Sequence, residues 1–205
     1  MKLGDKLSGT DAELLKRSTG TIVAQVAALK NMVDEFRQFA RLPQAQLEPL
    51  HLNDFLREVL ALYKGKVIVS LDASNDFVLA DADQLRQVVH NLLGNALDAA
   101  CALHPENPVV TIATSEVTHG LQLRITDNGA GFSTESLAKL FEPYYTTKSH
   151  GTGLGLAIVH RIVQDHKAKI RIKNKVDEAS SNILGAVVDI VLTTRTLEVV
   201  QPHAA

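Results

Sequence analysis

Asp-Asn-Gly-Ala-Gly-Phe at Asp127–Phe132, Phe-Glu-Pro-Tyr-Tyr-Thr-Thr-Lys at Phe141–Lys148 and Gly-Thr-Gly-Leu-Gly-Leu-Ala-Ile at Gly151–Ile158 make up the stretch that decides the fold. Two glycine-rich turns bracket a polar segment, and the second turn runs directly into an apolar helical pattern. Glycine lets backbone N–H groups approach an anion closely, and a helix N-terminus adds a favourable dipole. The stretch therefore reads as a phosphate cradle with a movable cover. It is not a P-loop, because no Gly-Lys-Ser/Thr follows. The spacing of Gly151, Gly153 and Gly155 also differs from the dinucleotide fingerprint. A third element lies upstream: His90–Ala100 places Asn91, Asn95 and Asp98 at i, i+4 and i+7, one face of a helix.

These boxes stand in the order of an asparagine box, a first glycine box, a phenylalanine-containing box and a second glycine box. Together they resemble the ATP-binding domain of sensor histidine kinases, part of the wider family shared with gyrase, Hsp90 and MutL. The resemblance covers roughly residues 50–192. It implies an α+β fold, a two-layer α/β sandwich of the Bergerat ATP-binding type, with ATP and Mg2+ as ligands.

The resemblance also assigns roles. Asn95 matches the metal-binding asparagine, with Asn91 beside it as a second oxygen donor; Mg2+ is hard and prefers oxygen ligands. Asn91 stands where the gyrase and Hsp90 relatives carry a catalytic glutamate. An amide cannot act as a general base, so transfer to a protein side chain is favoured over ATP hydrolysis. Asp127 accepts a hydrogen bond from the adenine amino group, which selects adenine over guanine. Gly129 and Gly131 bring backbone close to the base, and Asp98 completes the asparagine face. Gly151, Thr152, Gly153, Leu154, Gly155 and Leu156 line the phosphates, with Thr147 and Lys148 reaching in from the cover. Lys148 is the candidate partner of the γ-phosphate. Phe141 and Tyr144 are expected to anchor the cover by packing.

The chain has 205 residues, 45% hydrophobic and 21% charged, with a net charge of −2. One full-sized domain plus an appendage fits this length, and the charge offers no case for nucleic-acid binding. Trp is absent, so the core must be aliphatic. A single cysteine, Cys101, excludes an internal disulfide and is expected to be a small buried hydrophobe. No run approaches the ~18 apolar residues of a membrane span, and no signal peptide is visible. A cytoplasmic location without membrane contact by this segment is expected, although sensors of this kind are often anchored in a membrane elsewhere in the parent chain.

Thr10-Asp11-Ala12-Glu13 is a capping-box pattern, and a long helix is predicted from there to about Leu42, stopped by Pro43. Leu15, Thr19, Ile22, Val26, Leu29, Val33, Phe36 and Ala40 alternate at spacings of four and three, a heptad seam. Such a stripe needs a partner. By resemblance, residues 10–42 are the second helix of the hairpin through which sensor kinases dimerise, so a homodimer is expected. The phrase Met32–Arg41 resembles nitrogen-regulation sensors of the NtrY/NtrB type. The first helix of that hairpin carries the phosphoacceptor histidine. None of the eight histidines precedes Thr10 on a helix, and Met1–Leu7 reads as the stub of that first helix.

Asn53 is expected to cap a helix running to about Tyr63, and Val67–Leu71 and Phe77–Ala80 read as short strands around a turn. Asp81–Leu103 is the asparagine-box helix, Val109–Val117 and Leu121–Thr126 a hairpin around His119-Gly120, Leu154–Asp165 a helix, and Ile170–Lys173 and Ala186–Leu192 closing strands. The division is 1–45 partial dimerisation region, 46–197 ATP-binding domain and 198–205 frayed tail. The function implied is transfer of the γ-phosphoryl group of ATP to a histidine outside this chain and thence to an aspartate of a response regulator. The chain itself is expected to bind Mg-ATP or ADP without autophosphorylating. The alternatives are an ATPase of the gyrase/Hsp90/MutL branch and a non-catalytic dimeric scaffold.

Overall fold

The computed structural model describes residues 9–118, 120–148 and 151–193. The expected stub at Met1–Leu7, the hairpin tip at His119, His150 and the tail beyond 193 lie outside the described residues. In chain order the elements are α1 (Gly9–Ala40), β1 (Glu48–His51), α2 (Leu52–Leu60), β2 (Ile68–Leu71), β3 (Phe77–Ala80), α3 (Ala82–Leu103), β4 (Val110–Val117) and β5 (Gly120–Asp127). Then come α4 (Thr134–Lys139), α5 (Gly155–Asp165), β6 (Lys169–Val176) and β7 (Ile183–Leu192).

Five strands form one sheet in the order β2-β4-β5-β7-β6. Apart from the parallel β2–β4 pair, its ladders are antiparallel. Side chains alternate across a strand, so Val110 and Ile112 of β4, Leu121, Leu123 and Ile125 of β5 and Ile190 and Leu192 of β7 share the inner face. Against that face lie the buried stripes of α3 (Leu85, Val88, Val89, Leu92, Leu93, Ala96) and α5 (Ile158, Val159, Ile162, Val163). Sheet on one side and helices on the other is the expected two-layer sandwich. Asp127 ends β5 on the same inner face, carried there by the period of two.

Two local expectations, the cap at Asn53 and the burial of Cys101, are corrected. Asn53 does not cap α2: the N-cap is His51, whose side chain makes no capping bond. Asp76 caps the helix from the loop before β3, its Oδ2 accepting from Asn53 N at 2.9 Å and its carbonyl accepting from Leu52 N. The Asn53 side chain is buried and bridges Ala73 O and Thr114 Oγ1. The runs around Asn75 do not pair with each other: β2 joins β4, while β3 pairs with β1, a strand containing Pro49. The segment after the first glycine turn contains α4, capped by Ser133 through Ser136 N. Cys101 is exposed.

α1 is the one long element whose stripe finds little cover. Ile22, Val26, Leu29, Val33 and Phe36 remain 46–63% exposed. Among the described residues, α1 touches the sandwich at its C-terminal end, where Phe39 and the following Leu42 pack on the core. No helix among the described residues is long and apolar enough to cross a membrane.

Candidate nucleotide site

The site lies where the C-terminal end of β5, one face of α3 and the N-terminus of α5 meet. Asp127 is 8% exposed. Its Oδ1 accepts from Gly129 N at 2.8 Å and Ala186 N at 3.2 Å. Among the described residues none donates to Oδ2, so one carboxylate oxygen is held and the other is left to receive. Burial pushes the Asp127 carboxyl above the usual range, and the two backbone N–H groups oppose that shift.

The first glycine turn is fixed by packing rather than by openness. A Cβ on Gly129 would meet the backbone of Ala99 on α3 at 2.8 Å. Gly131 has φ +67, and Asn174 of β6 clamps the next residue by bonding both Phe132 N and Phe132 O. Gly185 went unnoticed in the sequence, yet its Cβ would overlap Asp127 O at 1.9 Å. An isolated glycine inside the β7 pattern is the signal that could have revealed this close approach.

Asn91, Asn95 and Asp98 do share a face of α3. Lys148 reaches this face from the cover: its Nζ donates to Asn95 Oδ1 at 2.9 Å and Asp98 Oδ2 at 2.8 Å. Asn91 lies against the start of α5, where a Cβ on Gly155 would stand 3.1 Å from its Oδ1. Two oxygen donors already converging on one cation is a donor set that suits a hard divalent ion. Among the described residues no three His, Cys, Asp or Glu cluster, so Asn95, with Asn91 beside it, could hold a metal only with help from ligand oxygens and water.

The second glycine turn begins α5 at Gly155, one residue later than expected. No side chain caps this helix, whereas Asp81 caps α3 and Ser133 caps α4. An uncapped N-terminus leaves backbone donors and the positive end of the dipole for an anion. Leu154 is fully buried, so its side chain cannot line the site; its N–H bonds Thr152 Oγ1. Leu156 packs against the core, and Thr147 is exposed on the cover. Gly151 and Gly153 serve the cover as much as any ligand. Tyr144 N donates to Gly153 O at 3.0 Å, and a Cβ on Gly153 (φ +71) would meet the Tyr144 backbone at 2.4 Å. A Cβ on Gly151 would meet Thr146 Oγ1 at 2.5 Å.

The cover is anchored as expected at Phe141, which stacks on His160 of α5 with centroids 4.4 Å apart. Tyr144 is not an anchor: it is 59% exposed with φ 68. Its neighbour Tyr145 does that job, donating its hydroxyl to Ser136 Oγ on α4. An open pocket of about 380 Å3, lined in part by Leu42, Pro43, Arg161 and Asp165, sits at the opposite end of α5 and shares no residue with this site.

Comparison with known proteins agrees with this architecture. Over 171 residues, 80% of this chain, the sequence is 33% identical to the nitrogen regulation protein NtrY of Azorhizobium caulinodans, of which it covers 22%. It is 32% identical over 180 residues to the sensor histidine kinase ZraS of Escherichia coli K12, covering 82% of this chain and 38% of that one. The chain thus spans well under half the length of these curated relatives. The mycobacterial sensor histidine kinase MprB superposes with a TM-score of 0.62 at 25% identity, over 73% of this chain and 99% of that structure. The model of histidine kinase-, DNA gyrase B- and HSP90-like ATPases matches residues 80–195, more than half of the sequence, and the chain therefore belongs to that family.

Proposed function

We propose that this chain is the ATP-binding kinase part of a two-component sensor, delivering the γ-phosphoryl group of ATP to a histidine that it does not itself contain. That histidine would pass the group to an aspartate of a response regulator. Asp127 carries the reading. Its buried carboxylate is held through Oδ1 and presents Oδ2 as a pure acceptor, the complement of an adenine amino group. The uncapped start of α5 and Thr152 would receive the phosphates. Mg2+ would be held by Asn95 with Asn91 nearby, and it would neutralise charge on the transferring phosphate. Lys148 would exchange its present oxygen partners for a phosphate oxygen. Asn91 can orient and donate but cannot remove a proton from water, which supports transfer over hydrolysis.

The remaining work of the site is positioning. In the proposed division, residues 46–197 form the ATP-binding domain, and residues 1–45, chiefly α1, belong to a dimerisation hairpin. The exposed stripe of α1 supports pairing with a second copy or with the phosphoacceptor helix. Calorimetric titration of Mg-ATP and Mg-ADP tests the reading. Saturable binding is expected, weakened more than about tenfold in Asp127→Asn, whose amide would face the adenine amino group with N–H. That variant keeps an acceptor for Gly129 N and Ala186 N, so circular dichroism should be unchanged. A folded wild-type chain that binds no adenine nucleotide would overturn the proposal.

A further inference from the structure

α1 reaches the phosphate cradle through one contact that the reading above does not use. Thr152, in the second glycine turn, donates its hydroxyl to Glu35 Oε2. The same Thr152 Oγ1 accepts from Leu154 N, the last residue before α5. Glu35 lies four residues before Phe39, so the two share a face of α1, and Phe39 packs on the core. Val26 and Val33 lie on the other side of the helix and remain exposed. The contact therefore sits on the docked face, away from the unpartnered stripe.

Three observations give the carboxylate a meaning. The N-terminus of α5 has no side-chain cap of its own. Gly155 opens it without a side chain, beside Asn91. The anionic group brought to its edge comes from a distant element, 117 residues away in sequence. A carboxylate hydrogen-bonded at an uncapped helix N-terminus is in the chemical situation of a phosphate oxygen.

We propose that Glu35 is an internal anion that competes with the nucleotide phosphates for Thr152 and the start of α5, so that a bound triphosphate and a docked α1 exclude each other. The inference rests on the nucleotide reading of the site and adds its regulation. Two anions cannot share one hydroxyl donor and one helix terminus without repulsion. Filling the cradle expels Glu35 and loosens the C-terminal end of α1, which Phe39 and Leu42 then hold on the core without the Glu35 contact. Linkage makes the coupling reciprocal: whatever holds α1 down weakens triphosphate binding by the same factor, and whatever pulls α1 away strengthens it. α1 is then both the pairing helix and a reporter of cradle occupancy.

Calorimetry on the full chain tests this with adenosine and with Mg2+ plus a non-hydrolysable ATP analogue, on the wild type, Glu35→Gln and Glu35→Ala. Glu35 is half-buried on a helix surface, and neither change disturbs the core. Both variants should bind the triphosphate about fivefold or more tightly, the lower end of ordinary coupling between sites. Adenosine, which has no phosphate, should bind wild type and variants equally. Amide exchange in residues 34–41 of the wild type should accelerate when the triphosphate binds and stay unchanged with adenosine. Equal triphosphate affinity in all three proteins, or equal tightening of adenosine, overturns the competition while leaving the nucleotide site standing. A wild type that binds neither ligand overturns the nucleotide reading itself and the competition with it.

Discussion

α1 and α3 are both long, both rich in aliphatic residues at helical spacing, and they end up in opposite circumstances. α3 buries Leu85, Val88, Val89, Leu92, Leu93 and Ala96 against the sheet and α5. α1 leaves Ile22, Val26, Leu29 and Val33 more than half exposed. Periodicity says that a helix needs a partner; it does not say whether the partner lies in the same chain. The difference shows in the other faces too. α3 turns Asn91, Asn95 and Asp98 to the site and His90 to Tyr63, so three of its faces make contacts within the chain. Among the described residues, α1 commits the end bearing Glu35 and Phe39.

The largest effect expected concerns the open stripe. If α1 pairs with a second copy, Leu29→Asp places a charge in the seam twice, once per copy. Losing two buried leucines removes about 3–6 kcal/mol of association, roughly a hundredfold to ten-thousandfold in the dimer dissociation constant. Sedimentation equilibrium measures this directly. A wild type that stays monomeric at high concentration would assign the stripe to another partner. Next comes the closed stripe. Leu93→Ala, at a position with 0% exposure, should lower the unfolding free energy by about 2–5 kcal/mol in urea. Leu29→Ala in dilute monomer should stay within about 0.5 kcal/mol of wild type. Comparable losses at both positions would mean that α1 is packed on the sandwich in solution.

Much of the closed half was legible because its signals are local or strictly periodic. The asparagine face of α3, the β4–β5 hairpin and the inward alternation ending at Asp127 all follow from spacings of 3.6 and 2. What escaped reading depends on partners far along the chain. Asp76 caps α2 across more than twenty residues, and no local pattern announces a borrowed cap. β1 contains Pro49 and pairs with β3 at the margin, where proline is tolerated. Gly185 is demanded by Asp127 O, a contact across two strands. At the site, the sequence singles out the glycines chiefly for a ligand, whereas the structure shows a second demand on them. Gly129, Gly151 and Gly153 are needed first for close chain-to-chain approach, to Ala99, Thr146 and Tyr144. Tyr144 and Tyr145 are adjacent and chemically identical, so which one anchors the cover depended on backbone geometry that spacing does not carry.

The borrowed cap gives a third prediction, again separating the closed half from the open one. Asp76→Ala strips a carboxylate from Asn53 N and from His51 Nδ1 at once. A loss of about 1–2 kcal/mol is expected, as for other N-cap deletions. Its mark should be selective: faster amide exchange in the first turn of α2, with α1 unaffected. Unchanged exchange there would show that Leu52 N bonding to the Asp76 carbonyl suffices to hold the turn.

The smallest effect tests the third face of α3. His90 Nδ1 lies 2.7 Å from Tyr63 Oη, and the neutral ring with its proton on Nε2 accepts the tyrosine proton there. Burial lowers the His90 pKa below 6.5, and the neighbouring Arg86 charge adds to that. The folded chain therefore binds fewer protons than the unfolded one just below pH 6.5, and stability must fall as pH drops through that window. His51 works in the opposite sense, its pKa raised chiefly by the hydrogen bond its ring donates to Asp76, so the wild-type profile mixes the two. His90→Gln isolates the term: glutamine can still accept from Tyr63, does not titrate, and leaves His51 in place. Between pH 7 and 5.5 the wild type should lose more unfolding free energy than this variant, by less than about 1 kcal/mol because solvent reaches the ring. Urea titrations of both proteins across that range supply the comparison. Parallel profiles would mean that the ring swings into water on protonation, and that only two faces of α3 are committed within the chain.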